Sequence, residues 1–122
     1  MLIAGFTILA AAVLSGCALA VLHLRNNGGA PWTLAALHGL LGIAVLICLV
    51  LALGGPLRGV DQGVDSFGMI AATLIALATL FGCSLLAMRL FKKWRFSELL
   101  IGTHATFAVG GFVFLAVYVL LG

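Results

Sequence analysis

Two histidines stand inside otherwise apolar sequence. His38 lies near the start of TLAALHGLLGIAVLICLVLAL, residues 33–53, and His104 near the start of LLIGTHATFAVGGFVFLAVYVLL, residues 99–121. An ionisable side chain within a membrane helix is rare and is a functional hypothesis by default. Neutral imidazole is a good ligand for iron, and an axial pair of imidazoles sets a haem's redox potential. One such ring alone has a blander reading, a hydrogen bond between helices. Two at matched depth are the one constellation here that asks for chemistry.

Composition says what must hold those rings. Of 122 residues, 65% are hydrophobic and only 7% charged, against about a quarter charged in a soluble domain. A spanning helix needs about 20 apolar residues. Four such runs fit, at about 1–24, 33–53, 67–91 and 98–121, with little sequence outside them. The backbone must satisfy its own hydrogen bonds in lipid, and the runs do not alternate in polarity as barrel strands do. The expectation is an all-α membrane protein, a single four-transmembrane-helix up-down bundle. The first run lacks a positively charged leader and is too long for a secretory signal core. Leu14, Ser15, Gly16 and Cys17 spell a lipoprotein-type cleavage site, but no Lys or Arg precedes it, so a retained span is expected.

The connectors carry the punctuation and the charge. RNNGGAP, residues 25–31, marks a tight turn, with Trp32 as an interfacial aromatic. Gly54, Gly55 and Pro56 stop the second helix, Ser66 is a candidate N-cap for the third, and Ser97 and Glu98 open the fourth. The first and third connectors hold Arg25, Arg89, Lys92, Lys93 and Arg95 against Glu98, whereas the second holds Arg58 against Asp61 and Asp65. The positive-inside rule then makes the first and third connectors cytoplasmic and leaves both termini on the non-cytoplasmic side, as expected in a bacterial inner membrane. The net charge of +3 reports topology and lipid headgroups; no nucleic-acid partner is expected.

With that topology both histidine-bearing helices start at the same surface. His38 lies roughly 7–8 Å inside its helix and His104 roughly 9 Å inside its own, so the rings share one layer. The second and fourth helices are diagonal in an up-down bundle and face each other across the core. A flat macrocycle could stand between them with one imidazole on each side. Gly42, Ala108 and Gly111 lie one or two turns from the histidines and leave room for a ring. Arg25, Lys92, Lys93 and Arg95 lie at the same surface and could pair with propionates; Phe107 and Phe112 could pack beside it. Gly5, Ala12, Gly16 and Ala20 on the first helix, and Gly68, Ala72, Ala76, Thr79 and Cys83 on the third, form small-residue stripes that let helices approach. His23 sits at a helix end, where snorkelling is the better reading. His23 precedes His38 by the spacing that separates Arg89 from His104, as an old duplication of the hairpin would give, but the identity between the halves is too thin to count as evidence for one. Cys17, Cys48 and Cys83 read as small apolar residues; a two-Cys, two-His zinc or copper site formed by Cys17, Cys83, His38 and His104 is the sharper alternative.

In this architecture, with His38 in the second span and His104 in the fourth, the chain resembles small four-helix membrane-embedded b-type cytochromes. The resemblance implies haem b, with His38 and His104 as axial ligands. Several such families carry four histidines and two haems; this chain lacks the second pair, which implies one haem at most. The first functional expectation is an electron-transfer subunit working with a quinone or a redox partner. The alternative is an accessory subunit of a larger membrane complex or homo-oligomer, cofactor-free or binding a chlorophyll-type pigment. Transport ranks last, because no Asp or Glu lies inside a span. No nucleophile–base–orienter set, phosphate-binding glycine motif or carboxylate pair points to independent catalysis.

Overall fold

The computed structural model describes residues 1–27, 29–91 and 98–122. These residues form four helices and no strand: α1 (Leu2–Arg25), α2 (Trp32–Leu53), α3 (Phe67–Leu90) and α4 (Glu98–Leu121). All four are long and apolar enough to cross a membrane, which marks the chain as an integral membrane protein. Trp32 opens α2 instead of preceding it, and Phe91 caps α3 instead of ending it. Lys92, Lys93, Arg95 and Ser97 lie outside the described residues.

Local chemistry explains the helix ends. Asn27 takes a left-handed backbone, φ 46°, which asparagine tolerates well after a helix C-terminus. Pro31 precedes α2 in an extended conformation, and Gly54 closes that helix with its N–H on the Val50 carbonyl at 3.2 Å. Ser66 does not cap α3. Its backbone is already helical, φ −76° and ψ −17°, and its side chain makes no capping bond; a capping serine needs an extended backbone.

The inward faces repeat in alternating steps of three and four. Leu2, Gly5, Leu9 and Ala12 are buried in α1, and Gly68, Ala71, Ile75 and Ala78 in α3. Val45 and Leu49 are buried in α2, with Gly111, Leu115 and Tyr118 in α4. A repeat of about 3.5 residues keeps one seam facing its neighbours in a left-handed bundle. The stripe expected on α3 is therefore corrected: Ala76 and Cys83 are exposed, because consecutive steps of four outrun a helix with about 3.6 residues per turn.

Each helix packs on its sequence neighbour and α4 closes against α1, so α1/α3 and α2/α4 are the diagonals. Phe112 stacks on Phe6 of α1, centroids 5.5 Å apart. It belongs to the apolar core beside Leu9, Leu49 and Leu115, not to the histidine layer where it was expected. All the buried helix residues lie between that core's far end and the level of Ala12 and Ala78. Past that level, toward the starts of α2 and α4, no described helix residue is buried. The bundle is tight at one end and loose at the other.

The α2–α3 connector folds back on the tight end. Val64 is buried there, with its N–H on the Gly59 carbonyl at 2.9 Å. Gly59 and Gly63 both have left-handed backbones, φ +72° and +67°. A Cβ on Gly59 would collide with Val64 Cγ2, whereas one on Gly63 would meet open space. Gly63→Ala should cost the conformational penalty alone, about 1–2 kcal/mol. Gly59→Ala adds a collision to the same penalty and should cost about 3 kcal/mol. Unfolding of both variants in detergent micelles measures the difference.

Candidate functional site

His38 and His104 occupy equivalent positions in the second turns of α2 and α4. Although these helices are diagonal and do not pack on each other, the two imidazoles meet across the bundle. Their centroids are 5.8 Å apart and their planes cross at 78°.

Each ring is anchored to the partner helix of its own hairpin. His38 Nδ1 donates to the Ala12 carbonyl at 2.9 Å, and His104 Nδ1 to the Ala78 carbonyl at 2.7 Å. A carbonyl can only accept, so each Nδ1 carries the proton and each neutral ring presents its lone pair at Nε2. Neither Nε2 has a hydrogen-bond partner among the described residues, and neither is sealed off by protein. A metal-ligating histidine is held in the same way, one nitrogen on a carbonyl to fix tautomer and direction, the other left for the metal.

The glycines beside the rings are fitted to them. A Cβ on Gly16 would lie 2.9 Å from His38 Cε1, and one on Gly82 would lie 3.1 Å from His104 Cε1. Only a bare backbone lets α1 and α3 come this close to the ring edges. Ser15 adds an asymmetry. Its Oγ donates to the Ala12 carbonyl at 2.8 Å and stands 3.1 Å from His38 Nδ1, so it accepts a share of the same ring proton. Ser15→Ala leaves that proton on Ala12 and should cost only about 0.6 kcal/mol, the average for such bonds within membranes, as measured by unfolding in micelles.

Ala12/Ala78, Gly16/Gly82, Cys17/Cys83 and His38/His104 are separated by one constant offset along the chain. The buried positions of α1 and α3 keep the same offset without a gap. The two hairpins thus present matching half-sites. Superposing the sequence on itself with His38 on His104 would have brought out Gly82, Ala12 and Ala78, which the search for titratable groups passed over. Nothing in that comparison singles out Ser15, whose counterpart is Phe81.

The other candidate residues divide. Gly42 lies one turn from His38 and faces Thr79, whose Oγ1 is 3.8 Å from its notional Cβ. Gly111 does not border the rings; a Cβ there would strike Ile75 Cγ1 at 2.6 Å, so it marks the close approach of α3 and α4. Phe107 stacks on Phe81, centroids 5.7 Å apart, beside Gly82. Arg25 is exposed in the last turn of α1. Arg89 donates to the Ala30 carbonyl and lies 5.9 Å over the Trp32 ring, tying α3 to the first connector at the histidine end. Lys92 and Arg95 are outside the described residues. The two-Cys, two-His alternative fails. Cys17 and Cys83 are exposed, each one residue beyond the glycine that faces a ring, and one residue turns a helix by about 100°. Among the described residues no three His, Cys, Asp or Glu side chains gather as a metal group. Comparison with known proteins finds no matching family, curated relative or solved structure.

Proposed function

We propose that the chain is an integral membrane electron-transfer subunit that binds one haem b between α2 and α4, with His38 and His104 as axial ligands. The observation that carries the reading is the imidazole pair: two rings from diagonal helices, each with Nδ1 committed to a carbonyl and Nε2 left over. The ring centroids are 5.8 Å apart, and the pair would hold the iron through the two Nε2 atoms. The small layer at Gly42 and the loose packing on the histidine side favour a flat occupant.

Within this reading the chain's own residues do three things. Ala12 and Ala78 orient the imidazoles and hold their protons on Nδ1. The apolar core below the rings excludes water from one side. Arg25, with Lys92 and Arg95 on the third connector, supplies positive charge for propionates at the rim. Haem, when bound, contributes reversible one-electron chemistry whose potential the axial pair tunes. The charge balance of the connectors supports a cytoplasmic histidine end, both termini on the opposite side, and a bacterial inner membrane. A quinone or redox protein would exchange electrons at that end, and further membrane subunits or a second copy would cover the lipid-facing sides.

The deciding measurement is the absorption spectrum of the full chain purified from haem-replete cells, oxidised and then reduced with dithionite. A Soret band with sharp reduced-state bands, and a pyridine haemochrome of one haem per chain, are expected. A colourless preparation overturns the reading and leaves the accessory-subunit alternative; red-region pigment bands would favour the pigment-binding one.

A further inference from the structure

At the end of the bundle away from the histidines, a cavity of about 250 Å³ is lined by Met1, Leu2, Ala52, Pro56, Arg58 and Tyr118. Four of these residues are apolar and two carry hydrogen-bond donors. Tyr118 is only 4% exposed. Its ring lies over Gly68, with Cε1 and Cζ 2.9 and 3.0 Å from where a Cβ would stand, so its direction is fixed by packing. Its hydroxyl nevertheless has no hydrogen-bond partner among the described residues and keeps an opening to the outside. The hydroxyl is therefore free to donate toward an occupant of the cavity that Tyr118 lines. Arg58 lines the same cavity and makes no ion pair or hydrogen bond among the described residues.

We propose that Arg58 and Tyr118 form a binding site for the phosphodiester of an anionic phospholipid. Guanidinium offers a planar fork of donors that matches phosphate oxygens and cannot lose its charge. The tyrosine hydroxyl supplies one more donor from the protein interior. Among the lining side chains Arg58 supplies a fixed positive charge and Tyr118 a donor, with no carboxylate side chain, which favours an oxyanion over a cation. Met1, Leu2, Ala52 and Pro56 give the apolar wall that a glycerol backbone and the first acyl carbons need, and that free phosphate does not. The site is independent of the histidine pair: on α4, Tyr118 lies about 21 Å along the axis from His104.

The test uses the full chain in detergent, exchanged into mixed micelles of phosphatidylglycerol or phosphatidylcholine, with bound lipid counted by native mass spectrometry. Wild type should retain phosphatidylglycerol in preference to phosphatidylcholine. Arg58→Gln removes a charge-assisted bond and should weaken retention about tenfold. Tyr118→Phe keeps the ring on Gly68, removes only the hydroxyl, and should weaken it about threefold. Thermal melting in lipid-free detergent checks that both variants fold; Arg58→Lys, which keeps the charge without the fork, stands in if Arg58→Gln does not. Equal retention by wild type and Tyr118→Phe overturns the proposal. So does stabilisation by inorganic phosphate as strong as that by phosphatidylglycerol, since the apolar wall would then have no part in recognition.

Discussion

On the proposed haem reading, His38→Ala and His104→Ala are each expected to lose the low-spin, two-imidazole spectrum of the purified chain while leaving it folded. The two effects differ because they draw on different energies. Folding loses one ring-to-carbonyl bond, to Ala12 or to Ala78, and such bonds within membranes average about 0.6 kcal/mol. A haem held as proposed would lose one of its two ligands, and the remaining imidazole could not keep the iron six-coordinate and low-spin by itself. The melting temperature in micelles should therefore stay close to wild type while the low-spin spectrum is lost. Added imidazole should restore part of that spectrum in either variant, because truncation leaves a ring-sized space against Gly16 or Gly82. A normal spectrum in His38→Ala would exclude that residue as a ligand.

Gly111→Val is expected to cost about as much stability as Gly59→Ala. A Cβ at this position would stand 2.6 Å from Ile75 Cγ1, 3.3 Å from Ile75 N and 3.4 Å from the Ala71 carbonyl oxygen. The last two are backbone atoms of α3, which side-chain rearrangement cannot move. Overpacking of this kind costs about 1–3 kcal/mol, and valine's second branch puts the change at the upper end. The first hairpin supplies the control. Val45 holds the corresponding place in α2 and is fully buried, so the same register admits valine where α1 and α2 pack and forbids it where α3 and α4 do. Unfolding of Gly111→Val and Val45→Gly in micelles should show overpacking in the first and a cavity in the second.

The four spans were legible because run length and composition alone decide them. The meeting of His38 and His104 was legible too, because matched depth on diagonal helices leaves two inward rings little choice. The inward face of α3 was not. When both lipid and core are apolar, polarity does not distinguish one side of a helix from the other, and size and register decide instead. Counting small residues from Gly68 in steps near four led to Ala76 and Cys83, which face outward. Gly111 was placed by the same criterion beside the rings, where its small size is spent instead on a helix contact. The Ala12 and Ala78 carbonyls carry no signal in residue chemistry, since every residue has a carbonyl; only the shared spacing of the two hairpins marks them.

One consequence of the paired half-sites concerns what a single chain permits. Two identical hairpins associating as a dimer would present both imidazoles under one set of constraints, and any substitution near one ring would be imposed on the other. Joined in one polypeptide, the halves are released from that identity. Ser15 shares the Nδ1 proton of His38, while its counterpart Phe81 leaves His104 to Ala78 alone and stacks on Phe107. The two imidazoles therefore differ in how their Nδ1 protons are held, a difference that a symmetric assembly could not have.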